Sequence, residues 1–385
     1  MEEMNKEEIC QQALENEAME GTEMELSTQA ENEKQNIEEL LEKGDSKDTD
    51  EPLDKNVRLM SPGRMVVRRF FRSKLSVVGL VMVLGLFIFC FLGPVFYNQW
   101  GETQVDDTPS KRYSPTTYTI EVHGQIYEIR ETIETDVPYN SYGEISSEHV
   151  LGTDQLGYDV LARLMYGGRI SLMVSFLAVF VITILGVIAG GIAGYFGGKV
   201  DNIIMRICDI LMCLPGIPIL LIIGLILDSA KNVPVIGDPS TRIYLLMICL
   251  TFISWPGTAR LVRGQILSLR EQEYMVAAEA MGYSAKRKIF KHLVPNVMPQ
   301  LIVQMSLSLG SMILYEATLS FLNLGVRAPY AAWGTMINVL TTDPNVITLH
   351  PLVWLPAGIC IVIAVLGFNF VGDGLRDALD PKARR

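Results

Sequence analysis

The chain has 385 residues, of which 49% are apolar, and these residues are concentrated in blocks rather than spread as in a soluble core. This distribution excludes an ordinary soluble globular domain and indicates a polytopic membrane protein. The net charge of −11 belongs to residues 1–57, which carry 19 Asp or Glu against 5 Lys, whereas the rest has a small positive excess. No nucleic acid is therefore expected as a partner.

Residues 1–57 form an acidic segment without aromatic side chains. Such a composition cannot bury enough apolar surface to offset the entropy of ordering the chain. We expect a disordered cytoplasmic tail, with short helical stretches around 37–41 as one alternative and a specific docking role as another. Because the first apolar block begins only at Val77, we expect no cleavable signal peptide and a first helix that remains as an anchor.

Six apolar blocks follow, each close to the ~20 residues that a helix needs to cross the hydrocarbon core. They cover residues 77–97, 170–194, 203–227, 243–262, 298–321 and 352–370. In the third block, Pro215 and Pro218 lie on either side of Gly216 and predict a kink. The second block predicts a face of small residues that packs closely on another helix. That face comprises Gly186, Gly190, Gly191 and Gly194.

Basic residues indicate the orientation of these blocks. A collar precedes the first block, and further basic clusters lie between blocks two and three, between four and five, and after block six. The segment 98–168, by contrast, carries twelve acids and four bases. The positive-inside rule therefore predicts that both termini are cytoplasmic and that this segment is extracytoplasmic. The predicted divisions are the tail 1–57, the collar and first helix 58–97, the extracytoplasmic segment 98–168, the membrane domain 169–373 and the C-terminal tail 374–385.

Two features stand out in the extracytoplasmic segment. The alternating stretches 118–122 and 125–129 flank His123 and Gly124 and predict a β-hairpin, with an irregular loop as the alternative. The amphipathic stretch 158–165 predicts a helix. It either lies at the outer face of the membrane or simply leads into the second span.

No motif for catalysis or metal binding is present. The six cysteines lie mostly in apolar blocks without a CxxC pair, so we expect free thiols. The four histidines do not cluster, and neither H-E-x-x-H nor G-x-S-x-G occurs. Gly198 and Lys199 do not complete a phosphate-binding loop, because Val200 replaces the Ser or Thr that would meet Mg²⁺. We therefore expect no catalytic residue, no metal ligand and no cofactor in this chain.

The loop 263–296, between blocks four and five, predicts a bent pair of short helices. Small side chains at Ala277 and Ala278 permit close packing, and Gly282 can take the left-handed conformation that ends a helix. Ser284 can then cap a second helix. We expect this helix to stop before Pro295. Its apolar face would comprise Ile289, Phe290 and Leu293. From the residues alone, such a surface either lies on anionic lipid or inserts into a groove on a partner protein.

Ten residues of this loop resemble the EAA loop of ABC-importer permeases. They read Glu273-Tyr274-Met275-Val276-Ala277-Ala278-Glu279-Ala280-Met281-Gly282. The acid, the alanine pair and the glycine of the family pattern match this stretch, and a later His-Leu-x-Pro ending also matches. The resemblance implies a bent helix that fits a cleft on a cytoplasmic ATPase. The residues it assigns to coupling are Glu273, Tyr274, Ala277, Ala278, Gly282, His292 and Pro295.

The wider chain, from about Arg64 to the C terminus, is similar to the C-type permease subunit of dipeptide and oligopeptide importers. Four further blocks carry this resemblance: HVLGTDQLGYDVLARL at 149–164, ARLVRGQ at 259–265, EATLSFLNLG at 316–325 with WG at 333–334, and GDGLRDALDP at 372–381. Two departures are the long acidic tail and Tyr158, which stands where an Arg is usual. The departures bear on substrate recognition rather than on coupling.

The resemblance implies an all-α polytopic membrane protein of the type I ABC-importer permease fold. This fold has six transmembrane helices, and here a small β-containing insertion would lie between helices one and two. The chain would form half of a pathway for short peptides, beside a homologous second permease in the lipid of the bacterial plasma membrane. Two cytoplasmic subunits would bind ATP and Mg²⁺, and an extracytoplasmic binding protein would deliver the peptide.

Glu316 lies within the fifth block, where a charge at the bilayer centre costs on the order of 2.5 to 3.5 kcal/mol. It is either a gate or pathway residue near the outer mouth or a carboxylate that holds helix packing, and the second is favoured. Structural roles are also favoured for Asp209 and Asn369.

Alternative functions remain open at this point. The same architecture could import nickel chelates or another small solute. An ion-coupled secondary transporter would need paired acids or broken helices near the midplane, for which Glu316 is the only candidate acid. A membrane receptor or scaffold without transport is suggested only by the acidic tail.

Overall fold

A computed structural model describes residues 62–122, 125–229, 241–343 and 345–379. The chain divides into two units, Met1–Met60 and Ser61–Arg385, and the described residues all belong to the second. The predicted tail 1–57 therefore lies outside the described residues, as do positions 380–385. Eleven helices and two strands are assigned within the described ranges.

The helices follow the apolar blocks, with short helices at their ends. In chain order they are α1 Pro62–Arg72, α2 Lys74–Phe96, α3 Val160–Phe196, α4 Gly198–Cys213, α5 Gly216–Ser229, α6 Thr241–Arg270, α7 Glu273–Ala280, α8 Ala285–Phe321, α9 Trp333–Thr342, α10 Val346–Leu349 and α11 Pro351–Leu379. By length and composition α2, α3, α6, α8 and α11 can each cross a membrane, and α4 with α5 forms a sixth, broken span. The prediction of six spans is confirmed in this form.

The third span bends by 77° between α4 and α5. The break falls at Leu214 and Pro215, immediately before the start of α5 at Gly216. Because proline has no N–H and its ring clashes with the preceding turn, it ends or kinks a helix. The kink predicted from the prolines is confirmed, and the bend is sharp enough to divide the span into two helices.

The small-residue face of α3 packs on α6, as predicted, but three of the four glycines form it. A Cβ atom added at Gly186 would lie 2.6 Å from Thr258 Cβ, and one at Gly194 would lie 3.0 Å from the carbonyl oxygen of Arg263. Gly190 lies against the carbonyl of Ala259 in the same way. A Cβ atom added at Gly191 would make only ordinary van der Waals contact, because its nearest neighbour would lie 3.7 Å away. Small residues on α3 thus let the two helix backbones approach closely.

Strands β1 Ser110–Val122 and β2 Gln125–Val137 form an antiparallel two-stranded sheet in the segment between α2 and α3. Val122 pairs with Gln125 and Ser110 pairs with Val137, so the hairpin is confirmed and is longer than predicted. Further along this segment, Asp159 caps α3 by accepting a hydrogen bond from the Ala162 backbone N–H. The stretch 158–165 is therefore the first turns of α3 rather than a separate helix.

Tyr158, the departure from the family pattern, is largely buried and has a structural contact. Its ring lies under the guanidinium of Arg163, with 4.6 Å between that group and the ring centroid. A stacked cation of this kind stabilises a local fold. The described cysteines all carry free thiols.

Candidate functional site

Helix α7 is anchored by two side chains that point into the protein. Met275 is 3% exposed and Ala278 is 1% exposed. Met275 belongs to a small apolar core that includes Ile266 of α6 and Leu293 of α8. Since each buried apolar side chain contributes about 1.5–3 kcal/mol, this core fixes α7 against the ends of two long helices.

The opposite side of α7 and its flanks is exposed and largely apolar. Val276 is 63% exposed, Met281 is 62% exposed and Phe290 is 54% exposed. Glu273 and Ala277 are also exposed, and Tyr274 is partly so. We call Tyr274, Val276, Ala277, Met281 and Phe290 the loop face. Phe290 corrects the sequence prediction, because Ile289 and Leu293 are buried whereas Phe290 points away from them.

Gly282 ends α7 in the predicted left-handed conformation, with φ of 68°. Its N–H donates to the carbonyl of Glu279 at 2.8 Å, and the N–H of Tyr283 donates to the carbonyl of Ala278 at 3.2 Å. These two bonds form a Schellman motif, which satisfies the last carbonyls of a helix. No atom lies within 4 Å of a Cβ added at Gly282, so the backbone conformation alone favours glycine here.

The second helix of the loop does not stop before Pro295. Ser284 stands at its N-cap position but makes no side-chain capping bond. The chain passes through a π-helical turn at Lys288–Leu293 and continues as an α-helix over Val294–Phe321. A proline in the first turn of a helix needs no N–H, and the wider π turn provides the change of register. The loop and the fifth span are therefore one continuous helix, α8.

Polar contacts hold α7 to the start of α8. Asn296 donates through Nδ2 to the hydroxyl of Tyr274 at 3.2 Å and to the carbonyl of His292 at 2.9 Å. The His292 ring stacks on Tyr283 with centroids 5.7 Å apart, and the Arg287 guanidinium lies 4.0 Å from the Tyr283 ring centroid. The structure thus brings Tyr274 and His292 together, whereas Pro295 is exposed beside them.

The loop also contacts α3, and the part of α6 just before the loop contacts α4. Arg270 donates to the carbonyl of Tyr195 at 2.9 Å, and Lys288 lies 3.7 Å from Glu279. The Lys288 ammonium also lies 5.6 Å from the Tyr195 ring centroid. Asp209 forms an ion pair with Arg260, which agrees with the structural role favoured for it. Apart from Lys288 and Glu279, these partners are far apart in sequence, so no local pattern identifies them.

Glu316 is fully buried in α8 and lies beside Ser320, whose hydroxyl donates to its Oε1 at 2.7 Å. Its Oε2 has no hydrogen-bond partner among the described residues. A Cβ atom added at Gly334 of α9 would lie 2.6 Å from Ser320 Cβ, so α8 and α9 touch closely here. The contacts agree with a role in packing, but the bond from Ser320 is within α8 rather than between helices.

No group of three His, Cys, Asp or Glu side chains within the described ranges could hold a metal ion. Asn369, the other polar residue noted in a span, lies against Gly310, where an added Cβ would be 3.2 Å from its side-chain oxygen.

Comparison with known protein families gives two matches to this chain. The family described as "Binding-protein-dependent transport system inner membrane component" matches residues 182–385, and "N-terminal TM domain of oligopeptide transport permease C" matches residues 61–115. The first range includes α7, Glu316 and every described helix from α4 onward.

Similarity to curated relatives extends over most of the chain. The chain is 35% identical over 318 residues to the oligopeptide transport system permease protein OppC of Bacillus subtilis, which covers 82% of this chain and 88% of the relative. It is 36% identical over 319 residues to the dipeptide transport system permease protein DppC of the same species, with 83% and 85% covered. It is also 34% identical over 317 residues to OppC of Haemophilus influenzae, with 82% and 88% covered.

Proposed function

The chain belongs to the family of binding-protein-dependent transport system inner-membrane components. We propose that it is the permease subunit of a peptide importer and that its described geometry couples it to an ATPase. The relatives named above are oligopeptide and dipeptide permeases, and they cover most of this chain. The chain is a multi-pass membrane protein by the length and composition of its helices, and its similarity to peptide permeases supports a role in the import of short peptides. It forms part of the transmembrane pathway of an ABC importer.

The exposed loop face on a firmly anchored helix is the observation that carries the coupling assignment. Met275 and Ala278 hold α7 to the core, while Val276 and Met281 are more than half exposed. A short helix that leaves an apolar face open can insert that face into an apolar groove on a partner. The partner we assign to it is a cytoplasmic ATPase, and the coupling residues are Glu273, Tyr274, Ala277, Ala278, Gly282, His292 and Pro295.

The continuous helix α8 gives this docking a mechanical consequence. A push on the loop face would move the π turn at Lys288–Leu293, and α8, which continues as helix through Pro299 to Phe321, would carry that displacement toward Glu316. Rigid elements that have two arrangements can transmit a change at one site to another. ATP-driven closure of the ATPases would thus alternate the access of the pathway.

The complete transporter requires subunits beyond this chain. Two ATPases would bind ATP and Mg²⁺, a homologous second permease would complete the pathway, and an extracytoplasmic binding protein would deliver the peptide. The basic collar and the acidic segment 98–168 support cytoplasmic termini in the bacterial plasma membrane. We assign no catalytic residue to this chain, because hydrolysis belongs to the ATPases.

Reconstitution tests this proposal. The purified complex of both permeases and both ATPases is placed in proteoliposomes with its binding protein outside and ATP inside, and the uptake of a radiolabelled tripeptide is measured. We expect uptake that requires ATP and the binding protein and that persists when ionophores abolish ion gradients. Uptake that survives ATP depletion and collapses with the ion gradient would instead indicate a secondary transporter.

A further inference from the structure

Helix α1 is amphipathic, and one of its sides packs on the protein. Phe70 is 8% exposed, and a Cβ atom added at Gly374 of α11 would lie 3.2 Å from its ring. Only Ser73 separates α1 from α2, and its backbone is extended, with ψ of 119°. The Ser73 hydroxyl accepts a hydrogen bond from the N–H of Ser76 at 3.5 Å. Helix α1 is therefore held beside the ends of both α2 and α11.

Three of the four arginines of α1 form a stripe along a second side of the helix. Arg64, Arg68 and Arg72 are exposed and lie four residues apart, so a helix of 3.6 residues per turn places them together. Within the described ranges, none of these three side chains forms a hydrogen bond or an ion pair. The exposed Asp373 and Asp377 of the neighbouring α11 do not pair with them either. The stripe is thus a concentration of positive charge that the described part of the chain leaves without an acidic partner.

Two exposed apolar side chains lie between the stripe and the buried side of α1. At about 100° per residue, Val67 and Phe71 fall between Phe70 and the arginines around the helix. Val67 is 56% exposed and Phe71 is 57% exposed. In the first turns of α2, Leu75 and Val78 are exposed as well. Because α2 is long and apolar enough to cross a membrane, the exposed apolar residues of α1 adjoin a surface that faces lipid.

This order of side chains around α1 is that of a helix lying in the surface of a membrane. In such a helix, apolar side chains enter the boundary between headgroups and acyl chains, and Lys or Arg on the polar side contact anionic headgroups. The acidic segment 1–57 would match the charge of the arginines, but it has no aromatic side chain to cover Val67 and Phe71. An anionic bilayer matches both the charge and the apolar side chains, and the adjoining α2 already brings α1 to it.

We propose that α1 is a binding surface for anionic phospholipid. Arg64, Arg68 and Arg72 contact the headgroup phosphates, while Val67 and Phe71 enter the acyl boundary. Because α1 also packs on α11 and directly precedes α2, the bound lipid holds the ends of two spans at the level of the headgroups. Peptide uptake therefore depends on anionic lipid. This dependence rests on the proposed function, whereas the binding of lipid to α1 is measured independently of transport.

The first test locates α1 relative to the bilayer and leaves the arginines unchanged. Val67→Cys and Phe71→Cys are made one at a time in the full-length chain, in an assembled complex whose other exposed thiols are replaced by serine. The cysteine is labelled with bimane in nanodiscs of phosphatidylcholine and phosphatidylglycerol. We expect lipids that carry a spin label near the headgroup to quench both labels, and aqueous iodide to quench them weakly.

Two exposed apolar positions serve as matched controls for this quenching. Val81→Cys on the spanning helix α2 reports full contact with lipid, and Ile126→Cys on β2 reports full contact with water when the binding protein is absent. Quenching of both α1 labels by iodide alone, as at Ile126, would overturn the proposal. Protection of both labels from iodide and from the spin-labelled lipid would show that another protein covers α1, and it would overturn the proposal as well.

The second test counts the phosphatidylglycerol that the complex retains in native mass spectrometry. One triple variant replaces Arg64, Arg68 and Arg72 by glutamine, and a matched triple variant replaces them by lysine. Each cation near an anionic surface strengthens binding about fivefold, so the glutamine variant should retain much less lipid than the wild type. The lysine variant keeps the charge and should retain most of it. Equal retention by the glutamine variant and the wild type would contradict the proposal. If the glutamine variant does not assemble, the quenching test still decides whether α1 lies in lipid.

The third test compares peptide uptake by proteoliposomes of phosphatidylcholine alone with uptake by proteoliposomes that also contain phosphatidylglycerol. Wild-type uptake and uptake by the lysine variant should rise severalfold with the anionic lipid, whereas uptake by the glutamine variant should not. An equal rise in the glutamine variant would contradict the proposal. A rise that appears only after deletion of residues 2–50 would show that the acidic tail occupies the arginines, and it would also contradict the proposal. If the wild-type complex takes up no peptide in any lipid, the proposed function fails instead, and quenching and mass spectrometry still decide whether α1 binds lipid.

Discussion

Arg263 of α6 holds Asp201 of α4 through two hydrogen bonds of 2.5 Å, one from Nε to Oδ1 and one from Nη2 to Oδ2. Asp201 lies in the first turn of α4, just after the reversal at Gly197, whose φ is 65°. Arg263 lies ten residues before α7 begins. The two hydrogen bonds between Arg263 and Asp201 therefore connect the turn between α3 and α4 to the C-terminal part of α6, from which the loop extends.

Asp201→Asn should destabilise this connection. The Asp201 side chain is 11% exposed and that of Arg263 is 34% exposed, so water screens the pair only in part. We expect a loss of about 1 to 2 kcal/mol, measured as a lower midpoint of thermal unfolding in detergent. Arg263→Lys should lose less, because it keeps the charge but cannot form the fork. Unfolding of Asp201→Asn at the wild-type temperature would show that the pair contributes nothing.

Gly282 allows the backbone effect and the docking effect to be separated. The left-handed conformation costs an ordinary residue about 1–2 kcal/mol, although open space surrounds the position. We expect Gly282→Arg to abolish peptide uptake while the complex still assembles in the membrane. Gly282→Asn should retain part of the uptake, because asparagine tolerates this conformation. Gly358→Ala is the matched control, since it also has no atom within 4 Å of its Cβ. Normal uptake by Gly282→Arg would refute the coupling role of the loop.

Glu316→Gln distinguishes packing from gating. Glutamine keeps the shape and the oxygen that accepts from Ser320, and it removes the cost of a buried charge. If Glu316 serves packing, both the unfolding temperature and the rate of uptake should stay close to those of the wild type. Glu316→Ala should lower the unfolding temperature, because it leaves a cavity. Loss of uptake by a stably folded Glu316→Gln variant would instead support the gate.

His350 predicts a dependence of stability on pH. Its ring stacks on Tyr142 with centroids 4.3 Å apart, and burial lowers its pKa while Asp343 opposes the change. The unfolded chain therefore binds the proton at a higher pH than the folded chain does. Stability from this group is present above about pH 6.5 and is lost as the pH falls below that value. In His350→Phe this part of the slope should disappear from unfolding temperatures recorded between about pH 5 and pH 8. Parallel curves for variant and wild type would contradict the prediction.

Hydropathy and charge were sufficient to predict the six spans, because a long apolar segment of a membrane protein usually crosses the bilayer as a helix. Helix ends depend on contacts that hydropathy does not describe. Helix α3 begins at Val160, ten residues before its apolar block, because Asp159 caps it. Within this first part of α3, the carbonyl of Leu164 accepts a hydrogen bond from the buried Trp333 side chain.

The coupling loop was predictable in part. The alanines favour a short helix, and the glycine at 282 indicates its end, because few other residues take the left-handed conformation of such a cap. The prediction that the second helix stops before Pro295 was wrong. A π-helical turn at Lys288–Leu293 precedes the proline, and the helix continues past it. The ion pair of Arg263 with Asp201 joins residues that are distant in sequence. Only the folded chain brings these groups together.

Crosslinking between the loop face and the ATPase tests the central claim most directly. Cysteines are placed one at a time at the exposed Val276 and Met281 and at the buried Met275. The background is Cys10→Ser with Cys213→Ser, which removes the exposed thiol among the described residues and the one cysteine that lies outside them. Thiol crosslinkers are then applied to the assembled complex. We predict that Val276→Cys and Met281→Cys capture the ATPase in a yield that changes with bound ATP, while Met275→Cys does not. Failure of both exposed positions to capture the ATPase, in a complex that takes up peptide, would contradict the account.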